Sequence, residues 1–420
     1  MGLSGCMSLG PGGDANEVSR MRAGPMQPVG AKERIEGSVL MSMLEQRQSV
    51  LPDGSPFDKV AGPVLAANSR AAESELRAAR LRSEAMDKNW LPTIGPKISL
   101  SSLSEVVAGL VIDAVLFDNG KKKAEREFAR ADVEVAAVTL AMDTNDRVHT
   151  ALTLYLRGQE AAEKAQMYDA ALKDLKHFEW VMDQRVKGGI SDLSDLSVIR
   201  QKLGKMTSER NASVEAANAA KAELNAMSVK KLDAVSGLSE VRVGRGDAQP
   251  LTVMLAEAEK ERAVAGAKID RAGFLPGLSA SASVTQSGSS GSLDLAPENG
   301  IGFGTGASLK AIKAAEEAAG RRVSQATEDA NRRLAKQEAR QAALGRQIGE
   351  AGALAQSAKG NLDLFQKQYD AGQRQVMDVV GVYETWVDQE GTRIALKYEM
   401  AGARLEIARE LGLLASGSDI

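Results

Sequence analysis

One cysteine and two histidines in 420 residues close off several chemistries at once. A disulfide framework within one chain needs at least two cysteines, and a Cys/His zinc site lacks its ligands. Aromatic residues make up 4% of the chain. Aromatics fill large cores, so a chain this poor in them is expected to build thin layers of helix packed through small residues. Proline is almost missing from long stretches of Ala, Glu, Lys, Arg, Leu, Gln and Asp, the composition of extended helices.

Charge of one sign is also missing. The formal charge is -3, with acidic and basic residues interspersed, so no basic footprint for nucleic acid exists. No Ser/His/Asp, Cys/His or paired-carboxylate arrangement suggests a catalytic site, and none suggests a metal or cofactor. The chain reads as a non-enzyme. His149 and His177 read as ordinary packing or surface residues.

Long apolar runs are absent as well. The nearest, residues 106–117, falls short of the roughly 18 residues of a spanning helix and carries Asp113. A membrane protein without such helices is a closed β-barrel.

What the sequence does have is repetition, the first thing to seek in a chain of this length. Trp90-Leu91-Pro92 ends a helical stretch and opens an alternation of Ser, Ile and Leu. Phe274-Leu275-Pro276 does the same about 184 positions later. Gly188-Gly189, followed by Asp192 and Asp195, breaks one long helical pattern. Gly372, followed by Arg374 and Asp378, breaks another at about the same offset. Two landmarks of different kind at one offset indicate a tandem duplication.

The first repeat, residues 57–235, reads as a helix (57–89), strands at 91–101 and 105–117, a long helix (120–186) and a return helix (193–235). Residues 236–248 form a glycine-rich linker. The second repeat, residues 249–414, reads as a helix (249–272) with Pro250 at its first position, strands at 274–286 and 300–309, a long helix (310–369) and a return helix (376–414). Residues 415–420 are a tail. A helix of about 60 residues is a rod of roughly 100 Å, which no compact domain holds. The two shorter helices of each half sum to about the same length and are expected to pair along it. Leu278, Ala280, Ala282 and Val284 alternate with Gly277, Ser279, Ser281 and Ser283, the pattern of a barrel wall, and strands of this length cross a bilayer. Gly300, Gly302, Gly304 and Gly306 alternate in the same fashion with Ile301, Phe303, Thr305 and Ala307. Four strands cannot close a barrel around a channel, so several chains are expected to share one. The fold class is mainly α with a small β part: long antiparallel coiled-coil helices, each half adding a hairpin to a shared barrel.

Leu91-Pro92 and Leu275-Pro276 open the hairpins, Leu116-Phe117-Asp118-Asn119-Gly120 follows the second strand, and Gly189 to Asp195 and Gly372 to Asp378 make the turns. In these marks, across about residues 57–414, the chain resembles the TolC family of outer-membrane efflux proteins. Gly306-Ala307-Ser308-Leu309-Lys310 departs from the family's Leu-Phe-Asp-x-Gly mark. The resemblance implies a homotrimer with a 12-stranded barrel in outer-membrane lipid and a helical tunnel through the periplasm. It further implies a membrane-fusion adaptor gripping the periplasmic tip and an inner-membrane RND or ABC pump, serving efflux or type I secretion. A non-transporting periplasmic coiled-coil scaffold is the alternative, and four bilayer-length strands argue against it.

Site residues follow from this frame. Pro92 and Pro276 start the hairpins. The tip turns hold Gly188, Gly189, Asp192, Asp195, Gly372, Arg374 and Asp378. The aspartates read either as caps of the return helices or as carboxylate rings that select ions. Arg185, Lys187 and Arg374 are expected to bridge to neighbouring helices. In residues 1–56, Leu3-Ser4-Gly5-Cys6 reads as a lipobox, with Cys6 the candidate lipidation site. No charged and apolar segment precedes it, so either the chain starts after most of its signal or the match is chance. Arg245-Gly246-Asp247 is read as a chance tripeptide.

Overall fold

In a computed structural model, residues 38–67, 71–102, 105–244, 246, 248–285, 288–300 and 302–419 are described. Cys6, Arg245 and Asp247 lie outside them. A short helix α1 (Val39–Glu45) precedes α2 (Pro56–Leu65) and α3 (Ala71–Asp87), which lead into strands β1 (Thr93–Ser102) and β2 (Glu105–Phe117). Helix α4 (Lys121–Lys187) is 67 residues long and α5 (Leu193–Ala226) returns beside it. The second half has α6 (Leu251–Gly273), β3 (Pro276–Thr285), β4 (Gly288–Pro297), α7 (Thr305–Asp370) and α8 (Val376–Glu410). At 1.5 Å per residue, α4 and α7 are rods of about 100 Å.

Helix α4 is the spine. It packs on α2, α3 and α5 from its own half and on α6 and α8 from the other, while α7 packs on α6 and α8. The neighbour order is therefore α3 and α5, then α4, then α6 and α8, then α7. Small side chains make this close layering possible: Ala129, Ala137, Ala141, Ala151 and Ala171 of α4 are all buried.

Several boundaries differ from the sequence reading, each for a local reason. Residues 57–89 hold two helices. Pro63 has no N–H to give, and its carbonyl accepts from Val229 N (3.2 Å). Arg147 reaches over from α4 and donates to Val64 O and Met227 O (both 3.1 Å), satisfying the ends of α2 and α5. Helix α5 stops at Ala226, short of Val235, because the Asn225 amide accepts from Leu232 N and donates to Asp233, both at 2.8 Å, turning the chain back. Pro250 sits one place before its expected position, as the N-cap of α6.

The largest correction concerns the second hairpin. Among the described residues of 300–309 none lies in a strand. β4 is Gly288–Pro297, and Thr285 pairs with Gly288. Alternating glycines supply no side chains to a sheet and weaken a strand. Here Gly302 and Gly304 lie in the turn into α7, where Thr305 Oγ1 accepts from Gly302 N at 3.0 Å. Leu293 and Leu295 carry the alternation instead.

Candidate functional site: a two-faced sheet and two helix turns

The four strands form one antiparallel sheet in the order β1-β2-β3-β4, leaving one edge of β1 and one of β4 open among the described residues. Cross-strand partners share a face. The register pairs Ile94 with Ile112, Ile112 with Ala282, Ala114 with Ala280, Ala280 with Leu293 and Leu278 with Leu295. One face is thus apolar, and it is uncovered: Leu293 and Leu295 are 70% and 71% exposed. The other face pairs Thr93 with Asp113, Asp113 with Ser281, Ser281 with Ser292 and Ser279 with Asp294. Its hydroxyls bond one another, Ser281 to Ser292 at 2.9 Å and Ser283 to Ser290 at 2.8 Å, and Ser292 donates to Asp294 at 2.9 Å. Val111, Val115 and Ala296 also lie on this face.

Aromatic residues gather at one end of the sheet. Trp90 before β1, Phe117 at the end of β2 and Phe303 after β4 are all exposed. The same end is tied to the helices. Asp118 caps α4 by accepting from Gly120 N (3.0 Å) and Lys122 N (2.6 Å). Asn119 and Gly120 take positive φ, 53° and 85°, and Asn119 donates to Pro276 O at 3.0 Å. The Leu-Phe-Asp-x-Gly mark is thereby a joint between sheet and rod. Pro276 opens β3, where a missing N–H is tolerated, and Pro92 stands just ahead of β1.

At the far end of the rods two turns reverse the chain in the same way. Gly189 and Gly372 both have φ +72°. Ile190 N bonds Arg185 O and Gln373 N bonds Gln368 O, each at 2.8 Å, and Gly189 N and Gly372 N close the inner bonds to Val186 O and Tyr369 O. This paired pattern is a Schellman motif, which needs a residue in the left-handed region. Gly188 is the C-cap of α4.

The turn aspartates are unlike one another. Asp378 and Gln375 form a capping box, with Asp378 Oδ2 accepting from Gln375 N at 3.3 Å. Asp192 stands at the N-cap of α5 without a side-chain cap bond, and Asp195 lies in its first turn. Within the chain the basic residues of the turns make local contacts. Arg185 donates to Ser191 (3.1 Å), Lys187 pairs with Asp183 on its own helix (2.5 Å), and Arg374 bonds Gln368 (3.1 Å) with its guanidinium 4.5 Å over Phe365.

The cross-helix work falls to residues the sequence did not single out. Arg200 joins α5 to Glu179 (2.8 Å) and Asp183 (3.3 Å) of α4, and Lys202 of α5 pairs with Glu384 of α8. Tyr383 donates to Asp174 at 2.7 Å, while Tyr398 (2.7 Å) and Lys397 (2.8 Å) both donate to Glu163. Burial works against the Glu163 carboxylate, but those two bonds outweigh it and hold its pKa below the ordinary value. Burial and then the carboxylate bond push the Tyr383 and Tyr398 hydroxyls up. His149 makes a 2.8 Å bond to Glu406, the main cause of that carboxyl's lowered pKa. His177 stacks on Trp180 with centroids 6.3 Å apart. With charges this dense on every helix, sequence spacing alone could not select which of them would meet.

Among the described residues no helix is long and apolar enough to cross a membrane, and no group of three or more His, Cys, Asp or Glu could hold a metal ion. No protein-family model matches the sequence, and no curated protein matches it. Solved structures do. A membrane protein from Pseudomonas aeruginosa aligns with TM-score 0.73 at 17% identity, covering 92% of this chain and 97% of its own. The outer membrane protein VceC from Vibrio cholerae aligns with TM-score 0.71 at 15% identity over 85% of this chain and 96% of its own. The Campylobacter jejuni CmeC outer membrane channel aligns with TM-score 0.71 at 13% identity over 86% and 87%. The chain shares the fold of these membrane proteins, one of which is an outer membrane channel.

Proposed function

We propose that this chain is one third of a trimeric outer-membrane channel: a passive exit duct whose helices line a periplasmic tunnel. The apolar, uncovered sheet face carries the reading. Monomeric soluble proteins rarely expose so continuous an apolar surface, and bilayer lipid is the solvent that suits it. Ten residues at about 3.3 Å rise, tilted near 45°, climb roughly 23 Å, close to the apolar band of an outer-membrane barrel. Trp90, Phe117 and Phe303 sit where an interfacial aromatic belt belongs.

A sheet with two open edges cannot stay in lipid, because each unpaired backbone group costs several kcal/mol there. Three copies joined edge to edge make 12 strands and no edge. The hydroxyl-and-carboxylate face then turns to the lumen. The repeated helix–hairpin–helix–helix order fits a tandem duplication. The paired turns at the far end form the periplasmic tip, where a membrane-fusion adaptor docks and an inner-membrane RND or ABC pump loads the duct for efflux or type I secretion. Cys6, if acylated, adds a lipid anchor.

Purified in mild detergent, the 44.4 kDa chain is expected to show three times that mass and to form conducting pores in planar bilayers. A stable monomer that inserts without conducting would overturn this reading.

A further inference from the structure

The joint between sheet and rod occurs twice, once in each repeat. β2 ends at Phe117 and β4 at Pro297. Each is followed by an acid, an asparagine and a glycine: Asp118-Asn119-Gly120 and Glu298-Asn299-Gly300. Counted from its strand, the second trio stands where the first does, ahead of residues 306–310. Glu298 reaches across to pair with Lys121 beside the first trio. These are the two Asn-Gly steps of the chain. Such a step is the one most prone to spontaneous deamidation, because glycine has no side chain to keep its nitrogen from the asparagine carboxamide.

The fold treats the two steps differently. In the first, Gly120 N donates to Asp118 Oδ1 and Asn119 Nδ2 donates to Pro276 O, both at 3.0 Å. Attack requires that glycine nitrogen to lose its proton, and a carboxylate already beside it opposes a second negative charge. The Asn119 carboxamide is held on β3, and its backbone is fixed at φ 53° against the start of α4. In the second step the backbone bond comes from Asn299 itself, whose N donates to Gly273 O at 2.8 Å. Its carboxamide rests on Gly273, where an added Cβ would stand 2.6 Å from Nδ2. Neither that carboxamide nor Gly300 N has a hydrogen-bond partner among the described residues. Asn299 is exposed, and a Cβ placed on Gly300 would meet nothing within 4 Å.

We propose that Asn299 is a site of non-enzymatic modification and that Asn119, in the matching position, is protected from it by the fold. Gly300 N, having lost its proton to solvent base, forms a bond to Asn299 Cγ. The bond from Cγ to Nδ2 breaks, and the nitrogen leaves as ammonia with a proton taken from solvent, giving a succinimide ring. Water then opens the ring at either carbonyl, which yields aspartate or isoaspartate. No electrons are exchanged, and water is the only co-reactant. The product places a second carboxylate beside Glu298, the partner of Lys121. Isoaspartate also lengthens the backbone by one methylene between β4 and α7.

The test is ageing of the full chain in mild detergent and warm, mildly alkaline buffer, then tryptic digestion and mass spectrometry. Cleavage after Lys97, Lys121, Arg271 and Lys310 puts the two asparagines on separate peptides, residues 98–121 and 272–310. While the chain is folded, Asn299 is expected to convert several times faster than Asn119. Unfolding in guanidinium chloride is expected to bring the two rates together, chiefly by releasing Asn119. Gly300→Ala, whose Cβ shields the nitrogen and for which the fold has room, is expected to slow conversion of Asn299 several-fold with helix content unchanged. Equal rates in the folded chain, or Asn119 the faster, would overturn the proposal. So would a ratio that survives unfolding unchanged, because local sequence rather than the fold would then separate the two steps.

Discussion

Arg47 is the residue whose loss the fold is expected to feel most. It is 8% exposed, and burial lowers its pKa to about 10, so it is still charged at neutral pH. Its guanidinium donates to Leu411 O, Gly412 O and Gln249 O, joining the end of α8 to the start of α6. A cation at a helix C-terminus also meets the favourable end of the dipole. Gly412 has φ +67°, and a Cβ there would stand 2.5 Å from both Arg47 Nη1 and Leu251 Cδ1. Arg47→Met, which orphans three buried carbonyls, is expected to cost about 2–4 kcal/mol. Gly412→Ala combines strain with a clash and should cost a similar amount. Chemical denaturation of the purified protein measures both. Protection from hydrogen exchange should fall around residues 249–254 and 409–417 before it falls at the turns.

Glu163 and Glu406 give the protein a predictable acid limit. Both carboxyls titrate below their ordinary 4.5 in the folded chain. A depressed carboxyl contributes stability that is present above the unfolded pKa and lost as pH falls through the folded one. Thermal midpoints should therefore be flat near neutrality and drop below about pH 4.5. Glu163→Gln removes the charge that Lys397 and Tyr398 bond, at a cost of about 1–2 kcal/mol near pH 7. The gap between variant and parent should narrow in acid. A gap that stays constant down to pH 3 would show that Glu163 acts through packing alone.

At the scale of elements, the turns show how much was legible. Two glycines at a common offset announced two reversals, and both take the same φ in the same hydrogen-bonded motif. Gly189→Ala and Gly372→Ala force a Cβ into the left-handed region and should each cost about 1–2 kcal/mol. Fraying of the adjoining helix ends, read by hydrogen exchange, would accompany the loss. The long helices were legible because nothing interrupts them, and the first hairpin because apolar alternation and the Leu-Pro start agree. The second hairpin was misplaced because Gly302, Gly304 and Gly306 imitate a period of two without side chains to use it. Arg47, Arg147, Arg200 and Lys202 were invisible for another reason. Each meets its partner on another element, Arg200 at 17 and 21 residues and the others at 80 or more, and a chain with 109 charged residues offers far more pairings than it uses.

For the whole molecule, the proposed trimeric duct is expected to take its ion preference from the charges at its tip. Each chain places Asp183, Asp192, Asp195, Asp370 and Asp378 at or near its turns against Arg185, Lys187, Lys367 and Arg374, five acids to four bases. In a trimer that excess is three negative charges around one opening. Carboxylates gathered there raise the local concentration of cations and oppose anions. Asp378 also belongs to a capping box, so a change there tests two roles unless it keeps the cap. Asparagine does keep it, since its amide oxygen accepts from Gln375 N while the charge is gone. Asp195→Asn with Asp378→Asn brings the count to three acids and four bases per chain, and cation preference in single-channel recordings is expected to be lost. Screening at 0.15 M ionic strength acts over about 8 Å, so the difference should grow as salt is lowered. The trimer and its helix content should be unchanged. Selectivity equal to the parent at low salt would mean that the aspartates only cap their helices, and that the serine and aspartate face of the barrel sets the preference instead.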